Sequence, residues 1–495
     1  MKILLVNPPQ TTYAGSHSVM AGLPLGLMYI AAVLDRAGHQ VEILDTLVGN
    51  FPPRKEGDAI QHGMPWDRIK LEVERRQPRF VGIGNPFTTQ VENAIQTARL
   101  VKEVNPGAAV IVGGPHVTVR PEEFLEAAPW VDVVVRGEGE RTILELLQEL
   151  GAGRSLDGIA GIAYRKDDEV RISPARELIT NLDELPYPAY HLVDMESYFN
   201  PGRLSYRSSQ FRREVPLITS RGCPYGCVFC SIHLHMGQKW RAHSASYVID
   251  HVEHLTTKYK VEHIHFEDDN LTLNRKRFGE LLDGWTARKL RFMWDTPNGV
   301  RAEGLTLELL GKMKQTGCVD ITVGVESGDQ GVLDDIVGKR LRLDEVVLAA
   351  QRCRQAGVKL VAFYVIGFPG ETKENMQRTI DFALRLKRQY GVNMGLHIAT
   401  PLPGTRLYEI CKSKGYLVHE PTPRALAGAT QHHGTGLIRT PEFMPEEVRD
   451  MATKAFRRHM RLSLWEFIKD WRVKGRLALH DPRKALRYVR SLVGF

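Results

Sequence analysis

The sequence predicts an α/β protein in three parts: a doubly wound parallel sheet, a partial barrel of six βα units, and a helical C-terminal region. Three observations carry this. Apolar runs of strand length alternate with amphipathic helical stretches in two separate series. The second series, about 190 residues, is too short for the eight units of a closed barrel. Between the two lies a Pro-rich break, LDELPYPAYHL.

In chain order, residues 2–6 (KILLV) read as a buried strand. Pro24 to Ala37 read as a helix with Leu27, Ile30, Ala31 and Leu34 on one face, stopped by Gly38, and Gln40 to Leu44 as the next strand. Strand Phe80 to Ile83, a helix from Val91 to Val104, strands Ala109 to Val112 and Val131 to Val135, and a helix from Arg141 to Leu150 complete a Rossmann-like domain over residues 1–150. In such sheets ligands bind beyond the carboxyl ends of the strands. There the chain places Asn7-Pro8-Pro9, Asn85-Pro86, Gly113-Gly114-Pro115-His116 and Gly137-Glu138-Gly139-Glu140. The last of these lacks the third glycine of a dinucleotide fingerprint, which argues against NAD.

Residues 151–212 read as a connector with a small hairpin in GIAGIAYR and EVRIS. From Val215, LITS, HIHFED, FMWDTP, DITVGVES, KLVAFYVIG and MGLHIATP form six strands of a partial (β/α)6 TIM-type barrel over residues 213–411. Beyond 412 the periodicity weakens into PTPRALAGATQHHGTG before terminal helices, a C-terminal region over 412–495.

The 495 residues, 43% hydrophobic and 25% charged, are enough for a large core without disulfides. Of six cysteines, three fall within eight residues and Cys318, Cys353 and Cys411 stand singly, which is no secreted disulfide framework. The apolar start is too short for a secretory signal and no stretch is long enough to span a membrane. A reducing cytoplasm suits this cysteine usage. From Met451 onward twelve Lys/Arg face three Asp/Glu, interleaved with Trp465, Phe467, Ile468 and Trp471. This tail reads either as a basic amphipathic helix for a membrane surface or nucleic acid, or as a helix docked on the enzyme body.

Cys223-Pro-Tyr-Gly-Cys227-Val-Phe-Cys230 sets three thiols on one turn directly after the strand Pro216 to Ser220, with the aromatic Phe229 before the last of them. Thiolates hold iron-sulfur clusters, a cubane takes four ligands, and three cysteines leave one iron open for a chelating substrate. Gly222, Pro224 and Gly226 supply turn geometry. A zinc site of Cys3His type, completed by His233 or His235, is the alternative.

This cysteine pattern at the end of a first barrel strand resembles the radical S-adenosylmethionine (SAM) superfamily. The resemblance implies a 4Fe-4S cluster on Cys223, Cys227 and Cys230, with Phe229 beside the cofactor. It also implies SAM contacts at Glu267 and Asp268 after the second strand, at Asn298 and Arg301 after the third, at Glu326 and Ser327 after the fourth, and at Gly367 after the fifth. Pro401-Leu-Pro403-Gly404-Thr405 ends the sixth. Each position also has a structural reading: a helix cap for Glu267 and Asp268, a surface ion pair for Arg301, a packing concession for Gly367.

The Rossmann-like domain, the connector and the barrel together, residues 1–410, resemble the cobalamin-binding class of that superfamily. The resemblance implies a corrinoid on the first domain's strand ends, contacting Asn85, with Gly113, Gly114, Pro115, His116, Gly137 and Glu138 near its nucleotide tail. Pro9, Gln10, Thr11 and Thr12 then lie near its lower face. No Asp-x-His-x-x-Gly occurs, so no histidine ligates cobalt from below. The implied activity is anaerobic, cobalamin-dependent methylation of an unactivated carbon by way of a 5'-deoxyadenosyl radical. Radical cyclisation or rearrangement, as in anaerobic magnesium-protoporphyrin monomethyl ester cyclases, is a second reading. An RNA-modifying protein using the basic tail is a third. The implied partners are a small-molecule or lipid substrate, an electron donor such as flavodoxin or ferredoxin, and a membrane surface touched by the tail, with nucleic acid disfavoured. Candidate substrate contacts are His233, His235, Trp240, His397, His432 and His433.

Overall fold

A computed structural model describes residues 1–13, 22–85, 87–199, 213–429 and 434–469. Its strands in chain order are β1 (Lys2–Asn7), β2 (Gln10–Tyr13), β3 (Gln40–Asp45), β4 (Arg54–Glu56), β5 (Ala59–His62), β6 (Phe80–Gly84), β7 (Ala109–Gly113), β8 (Val133–Val135), β9 (Ile162–Lys166) and β10 (Glu169–Ile172). The barrel half follows with β11 (Glu214–Leu217), β12 (Ser220–Arg221), β13 (Arg241–Ala242), β14 (His263–Phe266), β15 (Met293–Val300), β16 (Cys318–Glu326), β17 (Lys359–Ile366) and β18 (Asn393–Ile398).

The first sheet runs in the order β10-β9-β8-β7-β6-β1-β3. Strands β8, β7, β6, β1 and β3 are parallel, and β9 then β10 add on beyond β8, each antiparallel to its neighbour. Both faces are apolar, as a sheet covered by helices on both sides requires. Ile3 and Leu5 of β1 pack into one core layer, while Leu4 and Val6 pack into the other. The helix Leu25–Arg36 lies against the first layer through Ala31, Ala32 and Leu34, and Val91–Val104 against the second through Ala94, Ala98 and Val101.

Two features differ from the sequence-based expectation. The hairpin β9–β10 extends the first sheet instead of standing in a separate connector, because Ile162, Ala163 and Tyr164 are buried against it. A small antiparallel sheet, β2-β5-β4, was not foreseen. Its strands (QTTY, RKE, AIQH) are three or four residues long and mostly polar, too short to show a period-2 pattern.

The second large sheet, β11-β14-β15-β16-β17-β18, is parallel throughout and curves as an open six-stranded barrel. Its outer face, with Ile264, Phe266, Trp294, Ile321, Val323 and Tyr364, is buried under the helices. The connector joins the two halves tightly. Ala189 N donates to Met28 O (3.1 Å), the Tyr190 hydroxyl meets His251 Nε2 (3.1 Å), and Tyr187 stacks on His251 with centroids 4.1 Å apart.

The C-terminal helix Pro445–Lys469 docks on the barrel, with Val448, Ala452 and Ala455 in its core and Lys387 bridging to Glu466 at 2.8 Å. The tail beyond Lys469, including Trp471, and His432 and His433 lie outside the described residues. Among the described residues no helix is long and apolar enough to cross a membrane.

Candidate functional site

A cavity of about 420 Å3 opens at the carboxyl ends of β1, β6, β7 and β8. Asn7, Gln10, Asn85, Gly113, Gly114, Pro115, Gly137 and Glu138 line it from the first sheet, together with Leu25, Tyr29 and Ile30 of the first helix. Across from them the wall is made by Ile218, Arg221, His235 and Met236, from the barrel half. Gly114 has no alternative here: its φ is +138°, and a Cβ would lie 2.2 Å from Asn85 O. The Asn85 side chain is buried, and neither of its amide atoms has a partner in the protein. An orphaned buried amide aimed into a cavity is what a ligand bearing amide groups would satisfy.

Other residues predicted for this ligand lie outside the lining or are already engaged. Thr11 N donates to Gln90 Oε1 (2.7 Å) and its hydroxyl meets Asn93, so Thr11 joins β2 to the helix Val91–Val104. Pro9 is buried outside the lining. His116 Nδ1 meets Thr88 Oγ1 (3.1 Å), and burial lowers its pKa to about 4, so the ring is a neutral loop tie. Glu138 lines the cavity, but its carboxylate is engaged by Arg221, by Arg241 and by Ile179 N.

The cysteine turn is clasped by the two-stranded ribbon β12–β13, in which Arg221 pairs with Arg241. Gly222 (φ +82°) enters it where a Cβ would meet three carbonyl oxygens, the nearest being Lys239 O at 2.6 Å. Val228 N donates to Val337 O (3.1 Å), Leu407 N to Val228 O (2.9 Å) and Gly222 N to Asp269 Oδ2 (3.1 Å). Cys223, Cys227 and Cys230 are free and half-buried. Burial raises all three thiol pKa values, that of Cys230 to about 12. Such thiols release their protons to a metal rather than to water. Phe229 packs against Phe368, with centroids 5.8 Å apart.

The strand-end residues fall around this turn. Asp268 is buried and accepts from Thr219 N and Oγ1 (2.8 Å) and from Ser220 Oγ, so its carboxylate fixes the chain just before the cysteines. Asn298 Nδ2 donates to Glu267 O (2.9 Å). Arg301 pairs with Glu303, donates to Lys339 O (3.2 Å) and stacks over Tyr225 at 4.1 Å. Glu326 adopts φ +69° and pairs with Lys339 at 2.5 Å. Ser327 Oγ meets Thr379 Oγ1 (2.9 Å) beneath β16. Gly367 N, at φ +90°, donates to Glu371 Oε2 (2.7 Å), and burial raises the pKa of that carboxyl to about 7.

Lys339, Arg221 and Arg241 escaped the sequence reading. Lys339 comes from the loop after β16, and no motif marks it. It puts a cation near Glu326 and Cys227, where it favours negative charge on the turn. Arg221 adjoins the cysteine motif, and that adjacency was the available signal. Of the predicted substrate residues, His235 lines the cavity with Nδ1 buried and unpartnered, and burial lowers its pKa to about 4. Trp240 Nε1 donates to Asn270 O (3.2 Å), and His397 lies edge-on to Phe363.

Deeper in the barrel, His263, His265 and Asp295 bring their donor atoms within 4.8 Å of one another. Both nitrogens of His265 lie on carboxylates, Asp295 (2.8 Å) and Glu214 (3.2 Å), so protons already hold this cluster together.

Comparisons with known proteins bear on both halves. The B12 binding domain family matches residues 14–147, and the Radical SAM superfamily matches residues 217–383. The chain is 35% identical to an uncharacterized methyltransferase of Pyrococcus horikoshii, covering 84% of each chain. It is 30% identical to the cytidylyl-2-hydroxyethylphosphonate methyltransferase of Streptomyces wedmorensis, over 92% of this chain and 89% of that one. Among solved structures, the radical SAM methyltransferase TsrM from Kitasatospora setae, with cobalamin and a [4Fe-4S] cluster bound, superposes with a TM-score of 0.67 at 17% identity. That superposition covers 93% of this chain and 88% of TsrM, and it speaks to the fold.

Proposed function

The chain belongs to the B12-binding branch of the radical SAM superfamily, and from that premise we propose that it is a cobalamin-dependent methyltransferase acting on an unactivated carbon of a small molecule. One observation carries this reading: the cavity on the first sheet and the cysteine turn share a wall, formed by Ile218, Arg221, His235 and Met236. When bound, a reduced 4Fe-4S cluster with SAM supplies a 5'-deoxyadenosyl radical, and a corrinoid supplies the methyl group.

The residues then have definite tasks. Cys223, Cys227 and Cys230 hold the cluster and leave one iron for SAM. Asp268 and Gly222 hold the turn that presents the thiols, and Lys339 offsets their negative charge. Arg301, Glu326 and Asn298 border the space for SAM, and the Gly367–Glu371 turn closes the end of β17. Asn85, Gln10, Gly113 and Gly114 receive the corrinoid amides. The apolar lining from Leu25, Ile30, Ile83 and Ile111 keeps water from that cavity. His235 and Ile218 line the cavity from the barrel side, where the substrate carbon would be placed.

Identities of 35% and 30% to two methyltransferases, against 25% to 27% to anaerobic magnesium-protoporphyrin IX monomethyl ester cyclases matched over 83% to 84% of this chain, support methyl transfer over cyclisation. The test uses anaerobically reconstituted protein with SAM labelled in its methyl group. The expected outcome is a 4Fe-4S spectrum, retention of added hydroxocobalamin, label passing to the corrinoid under reduction, and release of 5'-deoxyadenosine with substrate. Cys227→Ala is expected to lose iron and SAM cleavage while still taking up corrinoid. Protein without cluster uptake would overturn the whole reading, and a cluster without corrinoid affinity would overturn methylation. An electron donor of the flavodoxin or ferredoxin class belongs to the same proposal, since SAM cleavage consumes an electron.

A further inference from the structure

Four charged side chains meet in the wall between the two cofactor sites: Glu138 and Glu140 from the segment after β8, and Arg221 and Arg241 from the ribbon that clasps the cysteine turn. All are buried, at 8%, 5%, 7% and 4% exposure. Arg221 reaches Glu138 at 3.0 Å through Nη1 and Glu140 at 2.6 Å through Nη2, so one guanidinium spans both carboxylates. Arg241 Nη1 reaches both oxygens of Glu138 at 2.8 and 2.9 Å and also donates to Ile179 O at 2.7 Å.

The two carboxylates and two guanidiniums compensate each other's charge, as buried ions must. The fork geometry of arginine fixes orientation as well as distance. Tyr29, on the cavity's first helix, lies under Arg221 with 5.4 Å from guanidinium carbon to ring centroid. Arg241 Nη2 donates to Met236 O (2.8 Å), at the end of the short helix that carries His235 into the cavity. Arg221 directly precedes Gly222 and Cys223, while Glu138 and Glu140 flank Gly139, where the cavity's last helix begins.

Resting on the two-cofactor reading above, we propose that Glu138, Glu140, Arg221 and Arg241 are positioning residues that fix the corrinoid cavity and the cluster turn as one rigid unit, setting the separation of the two cofactors. Neither half could set this distance alone, since each contributes one sign of charge. None of the four needs to touch the reacting atoms.

The experiment takes full-length protein reconstituted with ferrous iron, sulfide and hydroxocobalamin, then reduced with dithionite. Glu140→Gln, nearly the same shape, and Arg221→Lys, which keeps the charge but not the fork, are compared with wild type and with Lys312→Gln at the exposed surface pair Lys312–Asp283. Pulsed EPR reads how strongly the reduced cluster speeds the relaxation of cob(II)alamin, a measure of their separation that needs no substrate. Both variants are expected to carry cluster and corrinoid near wild-type content, with the relaxation enhancement lowered about twofold or spread over a broad distribution, and Lys312→Gln to match wild type. Unchanged enhancement in fully loaded Glu140→Gln overturns the proposal. So does selective loss of one cofactor in either variant, because the residue would then serve one site only. If Glu140→Gln fails to fold, Arg221→Lys decides by the same criteria. Wild-type protein that takes up only one cofactor refutes the two-cofactor reading itself, an outcome distinct from any in the variants.

Discussion

Asn85 stands at the end of β6 with about 1% of its surface exposed and both amide atoms unpartnered within the protein. A buried amide without partners costs stability, and a ligand that pairs with it recovers that cost as affinity. Asn85→Ala is therefore expected to weaken hydroxocobalamin binding by about tenfold, corresponding to ~1.4 kcal/mol, while leaving the unliganded protein equally or more stable. Equilibrium titration followed by absorbance, with urea unfolding of the apoprotein, checks both halves. The sequence pointed to Asn85 through its place after a strand. It could not tell Asn85 from His116, equally well placed by pattern, because which of them turns inward depends on Thr88 packing beside the histidine.

Among the elements, β14 and β15 carry a charge cluster that the alternation of strands brings to the barrel's inner face. His265 lies between Asp295 and Glu214, next to His263 at 4.5 Å between ring centroids. Burial alone would lower its pKa, but the two carboxylates win and raise it to about 9 from an ordinary value near 6.5. A folded-state pKa above the unfolded one contributes stability that is fully present below pH 6.5 and is lost as pH rises through 9. With the side chain 1% exposed, the contribution is on the order of 3 kcal/mol. His265→Gln is expected to flatten that decline, measured as urea midpoints of variant and wild type at pH 6, 7.5 and 9. HIHFED was legible as a strand, yet the partners of His265 come from β11 and β15, some thirty to fifty residues away. Only the parallel register brings them together.

For the whole molecule, the first sheet is completed from beyond its own βα series. The hairpin β9–β10 covers the edge of β8, and the barrel's ribbon closes the cavity. A fragment ending at residue 150 would bare β8 as an edge strand and remove one cavity wall. It is expected to aggregate and bind hydroxocobalamin poorly, whereas a fragment ending at residue 176 should stay monomeric and bind more tightly, though below full-length protein. Light scattering and cobalamin titration separate the two.

By itself the sequence determined the α/β class, the two series of strands and helices, the three cysteines and the glycine-rich strand ends. These depend on local quantities: apolar period, turn chemistry and ligand spacing within a few residues. Tertiary structure alone decided that Asp268 braces the cysteine turn, that Lys339 faces Glu326, and that Glu138 and Glu140 lie against Arg221 and Arg241. Charges distant along the chain meet only after the backbone has buried them, and burial is what makes each of those pairings matter.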